Sequence, residues 1–277
     1  MAGKTNQIGC TLDYTDKPLI MGIVNVTPDS FSDGGDNFCA ETAAATALSM
    51  ESAGADIIDI GAESTRPGSE PVTEDEQLRR AIPVISGLKD RLGIPISIDT
   101  CSAVVARECL EAGAAIINDI SGGSDPEMFR LAAEINCPIV IMHMQGMPKT
   151  MQKNPRYEDV VSEVLGYLLG RALDAESAGV NKDNIIIDPG IGFGKSLEHN
   201  IALLKGLHCF TGSTYRVLLG ASRKSFIGTV TGETNPKKRL AGTLVTTAAA
   251  VCAGVDIIRV HDVADNAAAV KIAKLIL

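Results

Sequence analysis

Ala53-Gly54-Ala55-Asp56-Ile57-Ile58-Asp59 decides the fold, because it recurs. Ala112-Gly113-Ala114-Ala115-Ile116-Ile117-Asn118 repeats it, and so does Ala253-Gly254-Val255-Asp256-Ile257-Ile258-Arg259. A weaker copy runs from Ala178-Gly179 to Asn184-Ile185-Ile186-Ile187-Asp188. Each copy reads as a helix end, a glycine stop and a short apolar strand. A repeated βα unit leaves this trace. In every copy a polar side chain comes late in the strand: Asp59, Asn118, Arg259, Asp188.

Working outward, strand candidates follow in order at Leu19–Val24, Ile57–Ile60, Ile96–Asp99, Ile116–Asp119, Ile139–Met142, Ile185–Asp188, Val217–Gly220 and Ile257–Val260. A helix-compatible segment follows each of them. Glu41 to Ala53 is alanine-rich, Thr73-Glu74-Asp75-Glu76 opens a helix with a capping-box pattern, and the last helix starts near Ala264. Eight such units in about 260 residues predict an α/β fold, a (β/α)8 TIM barrel. An open doubly wound sheet is the competitor, but the G-x-G-x-x-G fingerprint after its first strand is missing here. No linker or shift in composition interrupts the chain. Residues 1–277 therefore read as a single domain, with residues 1–18 as a lead-in, a hairpin across the barrel bottom.

Composition narrows the partners. The chain has 277 residues, 45% hydrophobic and 21% charged, with a net charge of −9. That balance argues against nucleic acid, and an anionic ligand would need local positive charge. Met1-Ala-Gly-Lys-Thr-Asn-Gln7 lacks the apolar core of a signal peptide, and no apolar stretch reaches membrane-spanning length. Seven scattered cysteines without a C-x-x-C pair read as reduced thiols of a cytoplasmic protein, and none looks like a zinc ligand.

Chemistry-bearing residues gather where strands end. Leu19-Ile-Met-Gly-Ile-Val-Asn25 opens into Val-Thr-Pro-Asp-Ser-Phe-Ser-Asp-Gly-Gly35, longer than an ordinary βα turn. In the second loop, Thr65 and Arg66 suit an anion, although Arg66 can equally pair with Glu63 on the surface. Asp99 ends an apolar strand. It needs a partner there, or it caps the next helix, a role that Thr100 or Ser102 can also fill. His143 has no second histidine at ligand spacing, so packing or hydrogen bonding ranks before metal binding. Gly190-Ile-Gly-Phe-Gly-Lys-Ser196 is not a P-loop, because Ile191 stands where the first glycine is required. Its glycines keep the backbone low around a flat ligand, with Phe193 as a wall. Arg223 and Lys224, past strand seven, are a solvated pair or part of the site. Arg259 and His261 share strand parity, and a cation inside an apolar strand is costly unless an anion meets it.

These motifs resemble the dihydropteroate synthase family of pterin-binding TIM barrels. The resemblance rests on Met21 to Gly35, Asp59 to Gly68, Ser97-Ile-Asp-Thr100, Ile117 to Gly122, Met142-His-Met-Gln-Gly146, Asp188 to Lys195, Ser222-Arg-Lys-Ser225 and Arg259-Val-His-Asp262. It covers the chain from about residue 12 onward. It implies condensation of 6-hydroxymethyl-7,8-dihydropterin diphosphate with 4-aminobenzoate, giving 7,8-dihydropteroate and pyrophosphate in folate biosynthesis. By position, Asp99, Asn118, Asp188 and Lys224 would hold the pterin, and Asn25 would ligate Mg²⁺ on the diphosphate. Thr65, Arg66, Arg259 and His261 would bind its oxygens. Ser222, Phe31, Pro67 and Phe193 would border the aminobenzoate, and Asp33 would serve the chemical step. A homodimer is implied by the resemblance alone. A methyltetrahydrofolate methyltransferase of the same barrel group is the alternative enzyme, and a non-catalytic pterin-binding relative the alternative of another class. The first needs no diphosphate site, and the intact Asn25, Thr65, Arg66, Arg259 and His261 weigh against the second.

Overall fold

A computed structural model describes residues 10–16, 18–26, 36–63, 69, 72–147 and 149–276. Its strands are β1 (Leu19–Asn25), β2 (Ile57–Gly61), β3 (Ile96–Asp99), β4 (Ile116–Asp119), β5 (Ile139–Met142), β6 (Ile185–Asp188), β7 (Arg216–Leu219) and β8 (Ile257–Val260). They pair in parallel in chain order, and β1 also pairs with β8, so the barrel closes. Closure excludes the open doubly wound sheet. Around it run α1 (Asp36–Ser52), α2 (Glu74–Leu88), α3 (Ala103–Ala112), α4 (Met128–Ile135), α5 (Val160–Ser177), α6 (Leu197–Lys205), α7 (Leu207–Thr211), α8 (Ser225–Thr231), α9 (Leu240–Ala253) and α10 (Val263–Ile276). The first helix starts five residues before the expected Glu41, and the seventh strand lies one residue earlier than expected.

Both faces of each strand are covered, which is why the strands read as nearly unbroken apolar runs. Met21, Ile57, Ile116, Val140, Ile186, Leu218 and Ile257 fill the barrel interior. Ile58, Ile98, Ile117, Ile141, Ile187 and Ile258 pack outward with the helices. Side chains alternate with a period of two, so Asp59, Asn118, Asp188 and Arg259 stand on the same face as Ile57, Ile116, Ile186 and Ile257. A polar layer thus lies on an apolar one, at the C-terminal mouth where barrel enzymes hold their sites.

The recurring Ala-Gly junction has one physical cause. Gly54, Gly113, Gly179 and Gly254 all take positive φ, at 100°, 129°, 99° and 76°. The next residue's N–H then reaches back five positions: Ala55 to Met50, Ala114 to Cys109, Val180 to Ala175 and Val255 to Ala250. This is the Schellman helix stop, which turns the chain straight into the next strand. A fifth copy lacks the glycine. Asn136, at φ 54°, ends α4, and the Cys137 N–H reaches Ala132.

The lead-in forms no hairpin among its described residues. Asp13 accepts the Thr15 N–H and hydroxyl in a tight turn. Leu12 and Tyr14 pack on the interior cluster, and Arg216 stacks 4.5 Å from the Tyr14 ring centroid. Residues 1–9 and 17 of the lead-in lie outside the described residues. Thr73 caps α2 through the Glu76 N–H, but the Glu76 carboxylate is held by Arg79 and Arg80. Ser102 caps α3, which leaves Asp99 for the barrel mouth.

The helix stops give a direct stability test. A Cβ on Gly254 would meet nothing within 4 Å, so Gly254→Ala isolates the backbone cost. It should lower stability by about 1–2 kcal/mol in urea denaturation. An unchanged midpoint would mean that the stop relaxes out of the left-handed conformation.

Candidate active site

Arg259 organises the mouth. Its Nε donates to Asp59 Oδ2 at 2.6 Å and its Nη2 to Asp99 Oδ2 at 2.8 Å. Asn118 Nδ2 donates to the same Asp59 oxygen at 3.1 Å. One guanidinium on β8 therefore ties β2 and β3 together, with Asn118 of β4 joining through Asp59. Asp59 is fully buried, and among the described residues its Oδ1 and the neighbouring Ser97 Oγ have no hydrogen-bond partner. Burial raises the Asp99 pKa to about 7; Asp59 and Asp119 add to the rise and Arg259 opposes it. Asn25, half-buried at the end of β1, has its Oδ1 3.5 Å from where a Cβ on Gly61 would sit.

A second group faces it. The Gly190 N–H donates to Asp188 Oδ1 at 2.7 Å, while a Cβ on Gly220 would stand 3.8 Å from Oδ2. Burial raises the Asp188 pKa, against the Gly190 N–H, Lys224, Lys195 and Arg259. Lys224 Nζ lies 3.9 Å from the centroid of the Phe193 ring, a cation–π contact. Burial, with Arg259 nearby, lowers the Lys224 pKa to about 8. Phe193 packs with Ile120, Met142 and Met151.

The third group is Ser222 and His261. Ser222 Oγ accepts the His261 backbone N–H at 3.2 Å and lies 3.0 Å from Nδ1. The hydroxyl oxygen has a second lone pair as well as its proton, so the contact serves either ring tautomer. Burial, Arg223 and Arg259 push the His261 pKa down to about 3. Arg223 is no solvated cation. It takes φ 58° and its guanidinium grips Asp262, while its N–H donates to Thr243 Oγ1. That backbone sets Ser222 and Lys224 on either side of it.

Asn25, Asp99, Asn118, Asp188, Phe193, Ser222, Lys224, Arg259 and His261 thus belong to the mouth and its rim. Phe31, Asp33, Thr65, Arg66 and Pro67 lie outside the described residues. Two residues were missed. Asp59 was noted only as a late-strand polar residue; its parity with Ile57 places it in the interior. Lys195, seen only as a false P-loop lysine, is buried against His143 and Phe193. The expected Arg66–Glu63 pair falls on an undescribed residue, and Glu63 itself accepts the Val72 N–H and Gln77 Nε2.

Fold and site together define a barrel enzyme that reads a hydrogen-bonding heterocycle beside an anion. The family model for pterin binding enzymes matches residues 21–261. The chain belongs to the dihydropteroate synthases of that family. It is 46% identical over 268 residues to the dihydropteroate synthase of Synechocystis, covering 96% of this chain and 93% of the relative. The Xanthomonas albilineans dihydropteroate synthase with 4-aminobenzoic acid superposes with a TM-score of 0.89 at 43% identity, covering 94% of this chain and 93% of that one. The same protein in complex with 7,8-dihydropteroate gives 0.86 at 41% identity, covering 96% and 95%.

The buried histidines make acid stability testable. Burial and Lys195 push His143, like His261, down to about 3 from an ordinary 6.5. Between those values the unfolded chain binds protons that the folded protein refuses, so this contribution to stability is full above pH 6.5 and is lost as pH falls. Asp99 and Asp188, with raised pKa values, act with the opposite sign, so the readout is a difference between variants. At pH 5.5 each neutral ring costs about 1.4 kcal/mol relative to pH 7.5. His143→Gln should remove one such increment from the pH 7.5-to-5.5 change measured by urea titration. An identical change in both proteins would mean that His143 titrates normally in the fold.

Proposed function

We propose that this chain condenses 6-hydroxymethyl-7,8-dihydropterin diphosphate with 4-aminobenzoate, forming 7,8-dihydropteroate and releasing pyrophosphate, a transferase step of folate biosynthesis. The observation that carries this reading is Asp188. It is a buried acceptor with one oxygen fixed by the Gly190 N–H, set among Lys224, Lys195 and Arg259, in a site walled by Phe193. A guanidine-like pterin edge offers parallel N–H donors to such a carboxylate. Asp99 and Asn118 take other polar edges of the ring, and Lys224 a ring acceptor. Thr65, Arg66, Arg259 and His261 take diphosphate oxygens, while Ser222, Phe31, Pro67 and Phe193 border 4-aminobenzoate.

The reacting carbon is a CH₂ on an electron-rich reduced ring. When its C–O bond breaks, the electron pair leaves with pyrophosphate, and the cation delocalises into the pterin. The amine of 4-aminobenzoate then forms the new C–N bond and gives up a proton. Cationic groups at the departing oxygens lower the barrier most where water is excluded. Asp33 and its loop serve to guard the cation.

Among the described residues no group of three or more His, Cys, Asp or Glu can hold a metal ion. Magnesium suits this mouth only as a guest of the diphosphate, with the Asn25 amide oxygen as one ligand and phosphate and water as the rest. When bound, it neutralises charge on the leaving group.

We further propose a cytoplasmic homodimer. Every described cysteine is a free thiol, which supports a reducing compartment. No described helix is long and apolar enough to cross a membrane. Exposed Val230, Val245, Ile272 and Leu275 on α8, α9 and α10 support a partner surface.

The test is pyrophosphate release that depends on both substrates; release without 4-aminobenzoate at an equal rate would overturn the condensation. Asp188→Asn replaces an acceptor-only group by one that also donates. It should weaken pterin binding by about 2–4 kcal/mol with the fold intact. Unchanged affinity by calorimetry would remove Asp188 from the pterin site.

A further inference from the structure

Lys195 is a buried cation with an unusual set of partners. Only 2% of its surface is exposed. Its Nζ lies 2.9 Å from the Phe193 carbonyl, 3.2 Å from the His143 carbonyl and 2.9 Å from His143 Nδ1. An ammonium has three N–H donors, and these are three acceptors. All three are neutral. Among the described residues no carboxylate contacts Nζ directly; a buried charge so placed is expensive, and a methionine of similar length would fill the space without that cost.

The surroundings show what the cation holds in place. The His143 N–H donates to the Asp188 carbonyl at 3.0 Å, and a Cβ on Gly190 would stand 2.0 Å from the His143 oxygen. The ends of β5 and β6 are therefore pressed together at His143. On the other side of Nζ the tether reaches the main chain of Phe193, whose ring lies beneath Lys224. Further clasps bind the same loop: Gln152 Nε2 to the Gly192 carbonyl at 2.6 Å and Tyr157 Oη to the Gly194 carbonyl at 2.8 Å. Those two grip the loop from the chain after β5, whereas Lys195 hydrogen-bonds the Phe193 main chain to His143 at the end of the strand, where the Phe193 ring also packs on Met142.

We propose that Lys195 is a positioning residue for the pterin: its ammonium ties Phe193 to the end of β5 and sets its charge behind Asp188, so that ring wall and acceptor are held ready. The role rests on the pterin-binding reading of the site. Electrostatics agrees with the geometry. The Lys195 charge helps keep Asp188 ionised, and Asp188 in turn opposes the fall of the Lys195 pKa that burial causes.

The test compares two ligands. Isothermal calorimetry on the full chain would measure 6-hydroxymethyl-7,8-dihydropterin without its diphosphate, and inorganic pyrophosphate with magnesium. Lys195→Met should weaken the pterin about tenfold or more and change pyrophosphate by less than about twofold, the loss expected for a tether behind one subsite. A merely structural lysine would weaken both ligands alike. Equal losses, or no loss, overturn the proposal. Lys195→Gln, which keeps two N–H donors without charge, is measured in the same way if the Met variant does not fold. If neither folds, Lys195 is a folding residue and the proposal falls. Wild-type protein that binds no pterin refutes the functional reading instead; wild type that binds it, with variants that bind as tightly, refutes only the role of Lys195.

Discussion

The barrel mouth depends on one constraint: a guanidinium placed on an interior strand position must be met by negative charge. Arg259 follows Ile257 on the inward face of β8, so it emerges above an apolar layer. Left alone there, it would cost several kcal/mol. Asp59 and Asp99 meet it from β2 and β3, across β1. The three charges are mutually conditional, because removing the arginine strands two carboxylates, one of them with no solvent contact. On the proposed reading, a diphosphate would recruit Arg259 by competing with these carboxylates. Substrate binding would then be an exchange of ion-pair partners, with Asp99 freed as an acceptor.

The opposite half of the mouth is built by close backbone approach. Gly190, Gly192 and Gly194 all have positive φ, and a Cβ on Gly194 would stand 2.3 Å from the Gln145 carbonyl. These glycines let the loop after β6 lie flat on the loop after β5. The result resembles a phosphate-binding loop in sequence and differs from it in physics: here the contacts seat Phe193 and turn Lys195 inward.

Much of this was legible before any coordinates. Strand positions followed from apolar runs that two-sided burial requires, and the repeated Ala-Gly junction followed from a helix stop that only a left-handed residue completes. The same argument explains why the helix stop at Asn136 is not among the copies read from sequence. Asparagine tolerates that conformation, but it carries no unmistakable signal. Asp99, Asn118, Asp188 and Arg259 were legible as polar residues late in apolar strands. Asp59 obeyed the same rule and was passed over because nothing local shows which carboxylate will neutralise an arginine 200 positions away. Lys195 stood out only as part of the Asp188-to-Lys195 motif; its inward role left no trace, since its partners are two carbonyls and a ring nitrogen brought together by the fold.

The charge of the whole chain and that of the site now fit together. A net charge of −9 repels anions at a distance, so affinity for a diphosphate has to arise within the mouth. Among the described residues Arg259, Lys224 and Lys195 stand against Asp59, Asp99 and Asp188, burial raises the pKa values of Asp99 and Asp188 and lowers those of Lys195 and Lys224, and His261 is neutral. Such a balanced mouth has little net attraction for an anion at long range. On the proposed reading its selectivity comes from position: the carboxylates would meet a heterocycle's N–H groups, and the cations its departing substituent. A pterin without phosphate would then leave the cations to their carboxylates, and a phosphate without pterin would leave Asp188 with the Gly190 N–H but none of the ligand's donors. A ligand that carries both ends would satisfy both sets, which on this reading favours the diphosphate ester as the guest of this mouth.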